Sequence, residues 1–121
     1  MKPHDGIMVL QLRYGKTYIL LTVDMEQPFE DYLVAFEGDK LESDVLKVGH
    51  HGSKTSTSEE LLGTVSPKYA VISVGAKNMY GHPKQEILDR LEKFGIQVLR
   101  TDQNGTVIFK SDGETLTLKS I

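Results

Sequence analysis

Asp44-Val45-Leu46-Lys47-Val48-Gly49-His50-His51-Gly52-Ser53-Lys54-Thr55-Ser56 is the stretch on which the reading of this chain turns. Asp44 to Val48 is a short β-branched and aliphatic run, the signature of a strand, and Gly49 ends it. Beyond the turn, Ser56 and Thr57 can each cap a helix, with Glu59 and Glu60 three residues on. Leu61, Leu62 and Val65 form the apolar side of that helix, and Pro67 stops it. Strand, glycine-flanked turn and helix in succession are one unit of an α/β layered fold.

Working outward, Ile7 to Leu12 and Lys16 to Val23 are alternating runs parted by Tyr14-Gly15, which predicts a hairpin. Phe29, Tyr32, Leu33 and Phe36 fall at i, i+3, i+4 and i+7, so a helix burying that face is expected, with Pro28 in its first turn and Gly38 past its end. Tyr69 to Val74 is apolar apart from Ser73, the pattern of a strand covered on both faces. Pro83 opens a helix carrying Ile87, Leu88, Leu91 and Phe94, which Gly95 closes. Gln97 to Arg100 is a further strand. Thr106 to Lys110 and Thr115 to Lys119 form a hairpin around Ser111-Asp112-Gly113-Glu114. The expected order is ββαβαβαβββ: an α/β domain with a mixed sheet.

The 121 residues suffice for one domain with one core. Apolar residues at 39% and charged residues at 26% are ordinary for a globular chain and argue against disorder. The longest apolar run, Tyr18 to Val23, is too short to span a bilayer, and no membrane contact by this segment is expected. Residues 1–6 lack the apolar core of a signal peptide. With no cysteine, metal ligands must be His or carboxylate. A net charge of −3 gives no global attraction to nucleic acid, so a DNA contact would need a local basic patch.

Residue types that carry chemistry gather after strand ends. His50 and His51 lie between glycines ahead of Ser53, Lys54, Thr55 and Ser56, so imidazoles, hydroxyls and a cation share a turn that runs into a helix N-terminus. Such a turn suits an anion, and neutral imidazole is a common ligand of transition metals. A polar turn with one histidine bonded to backbone and the other in water reads the same residues equally well. Asp24, at the end of an apolar strand, either bridges metals or caps the following helix. His82, in Asn78-Met79-Tyr80-Gly81-His82-Pro83, either meets a phosphate or caps a turn. Asp102 reads as turn chemistry, and His4 as part of a frayed terminus.

Taken together, Leu20-Leu21-Thr22-Val23-Asp24, the stretch from Asp44 to Ser56, Tyr69-Ala70-Val71-Ile72-Ser73-Val74-Gly75 and Tyr80-Gly81-His82-Pro83 resemble the C-terminal half of the metallo-β-lactamase-like domain of the ComEC competence protein family. The resemblance covers nearly the whole chain and implies half of an αββα sandwich with ligands drawn from both halves. It implies Asp24 and His51 as metal ligands and His50 and His82 as catalytic groups beside the substrate. Ser53, Lys54, Thr55, Ser56 and Tyr80 would contact that substrate. The implied cofactor is a divalent metal, zinc or manganese, and the implied reaction is cleavage of DNA phosphodiesters during DNA uptake by a bacterial membrane-associated protein.

Three departures from the family pattern qualify that expectation. The His-x-His-x-Asp-His signature that supplies most ligands is absent, since the histidines are His4, His50, His51 and His82. Val23 replaces the glycine before the bridging aspartate, and Lys84 follows His82-Pro83 where a second histidine is usual. The chain is therefore expected to be a fragment, inactive alone, whose partners are DNA, the missing N-terminal half and, through uncovered sheet, a second copy of itself. A non-catalytic nucleic-acid binding module and a hydrolase of the same fold with another substrate are the competing readings.

Overall fold

The computed structural model of the chain describes residues 9–22, 27–48, 57–73 and 83–119. Strand β1 (Val9–Tyr14) and strand β2 (Thr17–Thr22) form an antiparallel hairpin in which Tyr14 pairs with Thr17. Gly15 takes a φ of +60°, which suits the first position of a tight hairpin turn. A side chain there would also overlap the backbone of Gly113, whose carbonyl accepts from Lys16 N at 2.6 Å.

Three βα units follow. Helix α1 (Gln27–Glu37) leads through a 3-10 turn (Gly38–Leu41) to β3 (Val45–Lys47). Helix α2 (Glu59–Val65) precedes β4 (Tyr69–Ile72), and α3 (Gln85–Lys93) precedes β5 (Gln97–Arg100). A one-turn helix α4 (Thr101–Asn104) leads to the hairpin of β6 (Ile108–Ser111) and β7 (Leu116–Lys119). The class is α/β, with a mixed five-stranded sheet in the order β1-β2-β3-β4-β5 and a separate two-stranded antiparallel sheet. Strands β2 to β5 are parallel, and only the edge strand β1 runs against its neighbour.

Register sorts the side chains into two faces. Leu20, Leu46, Ala70 and Val98 pair in one row, and the first three belong to the core with Leu61, Leu62, Val65, Ile87 and Leu91 from α2 and α3. Leu33 and Val34 of α1 pack against the same cluster. The rows on either side, Ile19-Val45-Tyr69-Gln97 and Leu21-Lys47-Val71-Leu99, point the other way. The β6-β7 hairpin lies over part of that second face: Phe109 meets Tyr69 with ring centroids 5.3 Å apart, and Ser111 Oγ lies 2.6 Å from Thr17 Oγ1. Asp112 shapes the hairpin tip by accepting from Glu114 N and Thr115 N, and these bonds hold its carboxyl below the usual range.

The expected element order holds, with the 3-10 turn and α4 added. Four local expectations are corrected. On α1 the buried face is Glu30, Leu33 and Val34, whereas Tyr32 and Phe36 are 63% and 69% exposed and stack on each other at 4.4 Å. Helix α2 is capped by Ser58, whose Oγ accepts from Leu61 N at 3.2 Å. Thr57 lies before the cap, and Glu59 and Glu60 are exposed. Helix α3 begins at Gln85 with Lys84 at its N-cap, two residues later than Pro83 suggests, and Phe94 at its C-cap is exposed. Strand β4 is covered fully on one face only, because Ala70 and Ile72 are buried while Tyr69 and Val71 are half-buried.

Candidate functional site at the carboxyl edge of the parallel strands

Parallel register brings the carboxyl ends of β2, β3, β4 and β5 to one edge of the sheet, where Leu21, Lys47, Val71 and Leu99 stand in one row. In α/β folds the loops leaving this edge commonly carry the ligand site. Three bonds lock it. Buried Thr22 donates from Oγ1 to Lys47 O at 2.8 Å, tying the end of β2 to that of β3. Val48 N donates to Val71 O at 2.9 Å, carrying the β3-β4 pairing one step past the strand. Thr101 Oγ1 reaches Ile72 O at 3.5 Å from the end of β5.

The segments that hold the residues singled out in the sequence follow the strands that end at this edge. Asp24 follows Thr22 by two positions, His50 and His51 follow Val48 by two and three, and Tyr80 and His82 belong to the connection between β4 and α3. Asp24, His50, His51, Ser53, Lys54, Thr55, Ser56, Tyr80 and His82 all lie outside the described residues. Among the described residues, no group of three or more His, Cys, Asp or Glu is placed to hold a metal ion.

The described residues add a group that sequence reasoning missed. Glu30, in the first turn of α1, is fully buried, and its carboxylate accepts from Thr57 N at 2.6 Å and Ser58 N at 2.7 Å. Burial pushes its pKa above the ordinary 4.5, with the two backbone N–H bonds working against that rise. From the other side, Arg90 of α3 donates from Nη1 to Thr57 O at 2.7 Å. Thr57 is buried and takes a φ of +60°, an uncommon conformation for a β-branched residue. The exit of the segment 49–56 is thus held by side chains from two helices.

One signal for Glu30 was present: Glu30, Leu33 and Val34 share a face at i, i+3 and i+4, and an acid in line with two aliphatics asks for a partner. At the far side of the edge, Arg100 and Asp102 form a two-bond ion pair at 3.0 and 2.7 Å. The guanidinium bonds keep the Asp102 carboxyl below its usual range, so the residue read as turn chemistry is an ion-pair partner inside α4.

No family model matches the chain. Among curated proteins it is 45% identical over 107 residues to "ComE operon protein 3" of Bacillus subtilis (strain 168), covering 88% of this chain and 14% of that protein. It is 44% identical over 101 residues to "Competence protein ComA" of Neisseria gonorrhoeae, covering 84% of this chain and 15% of that one. It is 43% identical over 93 residues to "Recombination protein 2" of Haemophilus influenzae, covering 77% and 11%. The chain is homologous to a segment of competence proteins. It spans about a seventh of the length of the first two of these competence relatives. Among the described residues, no helix is long and apolar enough to cross a membrane.

Proposed function

We propose that this chain contributes a metal-assisted phosphodiester-hydrolysis site to a competence protein that processes DNA, and that ligands from outside these 121 residues complete it. The observation that carries the reading is the adjacency of the β2, β3 and β4 carboxyl ends, from which the segments with Asp24, with His50 and His51, and with Tyr80 and His82 depart. The half-open second face of the sheet supports the wider view that the chain is half of a metallo-β-lactamase-type αββα sandwich.

The donor types fit zinc or manganese, since carboxylate and neutral imidazole bind both. Their number falls short of the three protein ligands usual at catalytic zinc. In this reading Asp24 and His51 hold the metal, which when bound brings the pKa of water toward about 7 and stabilises charge on phosphoryl oxygens. His50 and His82 lie beside the substrate, where an imidazole with a pKa near neutrality can take up or release a proton. Ser53, Lys54, Thr55 and Ser56 offer hydroxyl, ammonium and backbone donors to phosphate oxygens, and Tyr80 borders the substrate.

The test is cleavage of a DNA reporter with zinc or manganese, by the chain alone and by the chain supplied with the polypeptide that precedes it in a longer relative. The chain alone is expected to be inactive, and the pair active, with activity lost in His51→Ala and reduced in Asp24→Asn. Cleavage by the chain alone that His51→Ala abolishes would show the site to be complete within these residues. One observation favours a second reading, a nucleic-acid binding module: the carboxylates and imidazoles are few, while Lys54 and Lys77 lie in the same segments and Lys84 stands at the N-cap of α3. Salt-dependent DNA binding by the pair without cleavage would establish that alternative.

A further inference from the structure

Segment 49–56 carries both adjacent histidines, and its two ends are held in different ways. Its incoming end continues the β3-β4 ladder through Val48 N and Val71 O, an ordinary sheet contact. Its outgoing end needs a carboxylate taken wholly out of water. Burying a charge that way is costly unless it is hydrogen-bonded, and Glu30 directs two short bonds at two consecutive backbone N–H groups, Thr57 and Ser58. Those bonds are not required to cap α2, because Ser58 Oγ already meets Leu61 N. Nor do they stand alone: Arg90 takes the Thr57 carbonyl, so both backbone groups of one buried residue are held from opposite helices. Thr57 itself takes a φ of +60°, a sparsely populated conformation for a β-branched residue that persists where its surroundings hold it, as Glu30 and Arg90 do here.

We propose that Glu30 and Arg90 are positioning residues that clamp Thr57 and thereby orient segment 49–56 and its histidines, His50 and His51, at the carboxyl edge. The metal-binding consequence rests on the site described under Proposed function; the clamp itself does not. Residues that orient metal ligands without touching the metal typically change affinity by about 10- to 100-fold when replaced.

The experiment compares the wild-type chain with Glu30→Gln, which keeps shape but leaves only one oxygen to accept, and with Arg90→Lys. Val65→Ala serves as a control that loosens the core away from the clamp. Amide exchange is read along residues 49–58 and along β3 and β4, the ring resonances of His50 and His51 are followed, and zinc alone is titrated. In Glu30→Gln, exchange at 49–58 should rise about tenfold or more while β3 and β4 keep their protection, the histidine resonances should shift, and zinc affinity should fall about 10- to 100-fold. Arg90→Lys should move the same readouts by less, and it decides the matter if Glu30→Gln does not fold. Exchange at 49–58 that rises no more than in Val65→Ala, or faster exchange with unmoved histidine resonances and unchanged zinc affinity, would overturn the proposal. Should the wild-type chain alone bind no zinc, as a site completed from outside these residues allows, exchange with the histidine resonances still decides the clamp.

Discussion

The two faces of the five-stranded sheet are built from the same strands and are covered very differently. On the helical face Leu20, Leu46, Ala70 and Ile72 are at most 1% exposed under α1, α2 and α3. On the other face Leu10, Leu12 and Tyr14 of the edge strand are 47%, 54% and 62% exposed, and Ile19, Leu21 and Val71 are half-buried. The β6-β7 hairpin reaches that face around Thr17 and Tyr69, and Thr17, Val45 and Leu99 are buried there, so the exposed part lies toward β1. Because strand order follows chain order and every parallel connection is helical, the helices collect on one side. The helical face is therefore where stability is concentrated, and the apolar second face is available to other chain.

The largest effect that would sharpen this contrast is at the sheet centre. Leu46→Ala should lower the unfolding free energy by about 2–5 kcal/mol, whereas Leu12→Ala should change it by less than about 0.5 kcal/mol. Similar losses in urea unfolding would break the contrast. Next is the point where the two sheets touch: Gly15→Ala places a side chain against Gly113 and at positive φ, and should cost about 1–3 kcal/mol by loosening the hairpin from β6 and β7. A smaller effect concerns association. The chain is expected to self-associate through its uncovered face, and Leu12→Lys should weaken that by roughly tenfold, about the worth of one buried leucine. A sedimentation profile that stays monomeric at high concentration in the wild type would remove the second copy as a partner.

The smallest effect expected is on pH dependence. Burial raises the folded-state pKa of Glu30 above 4.5, so the folded chain holds that proton more tightly than the unfolded one. The associated stability is full below about pH 4.5 and is lost as pH rises through the raised value. Relative to Glu30→Gln, the wild type should lose stability across that window. A difference that instead grows with pH would mean that the bonds to Thr57 and Ser58 outweigh desolvation.

Much of the fold was legible in sequence because its signals are local. Alternation around Tyr14-Gly15 predicts the first hairpin, and the runs at 44–48, 69–74 and 97–100 mark three of the four parallel strands, observed at 45–47, 69–72 and 97–100. Errors arose where two readings shared residues. On α1, Leu33 belongs both to the aromatic stripe Phe29-Tyr32-Phe36 and to the face of Glu30 and Val34, and only tertiary contact decides between them. The i, i+3, i+4 and i+7 spacing selects the aromatic stripe, yet the N–H groups of Thr57 and Ser58 draw the acid inward. Ser58 over Ser56 and Thr57 as the cap has the same origin, since Thr57 is held by Glu30 and Arg90 and leaves the capping position to its neighbour. At the site, the strand ends that precede Asp24, His50 and His51 are legible in the sequence, and the roles proposed for these residues rest on the resemblance alone. The clamp could not be read, because its three members lie 27 and 33 positions apart.

The sequential strand order also bears on how the chain acquires its shape. Each strand from β2 to β5 docks on the strand that precedes it in the chain, so a polypeptide emerging N-terminus first can lengthen its sheet one βα unit at a time, without holding an early strand in reserve for a late one. The exception is the last hairpin. Lys16 and Thr17 must wait about a hundred residues for Gly113 and Ser111, so the contact between the two sheets closes only after the parallel strands have been made.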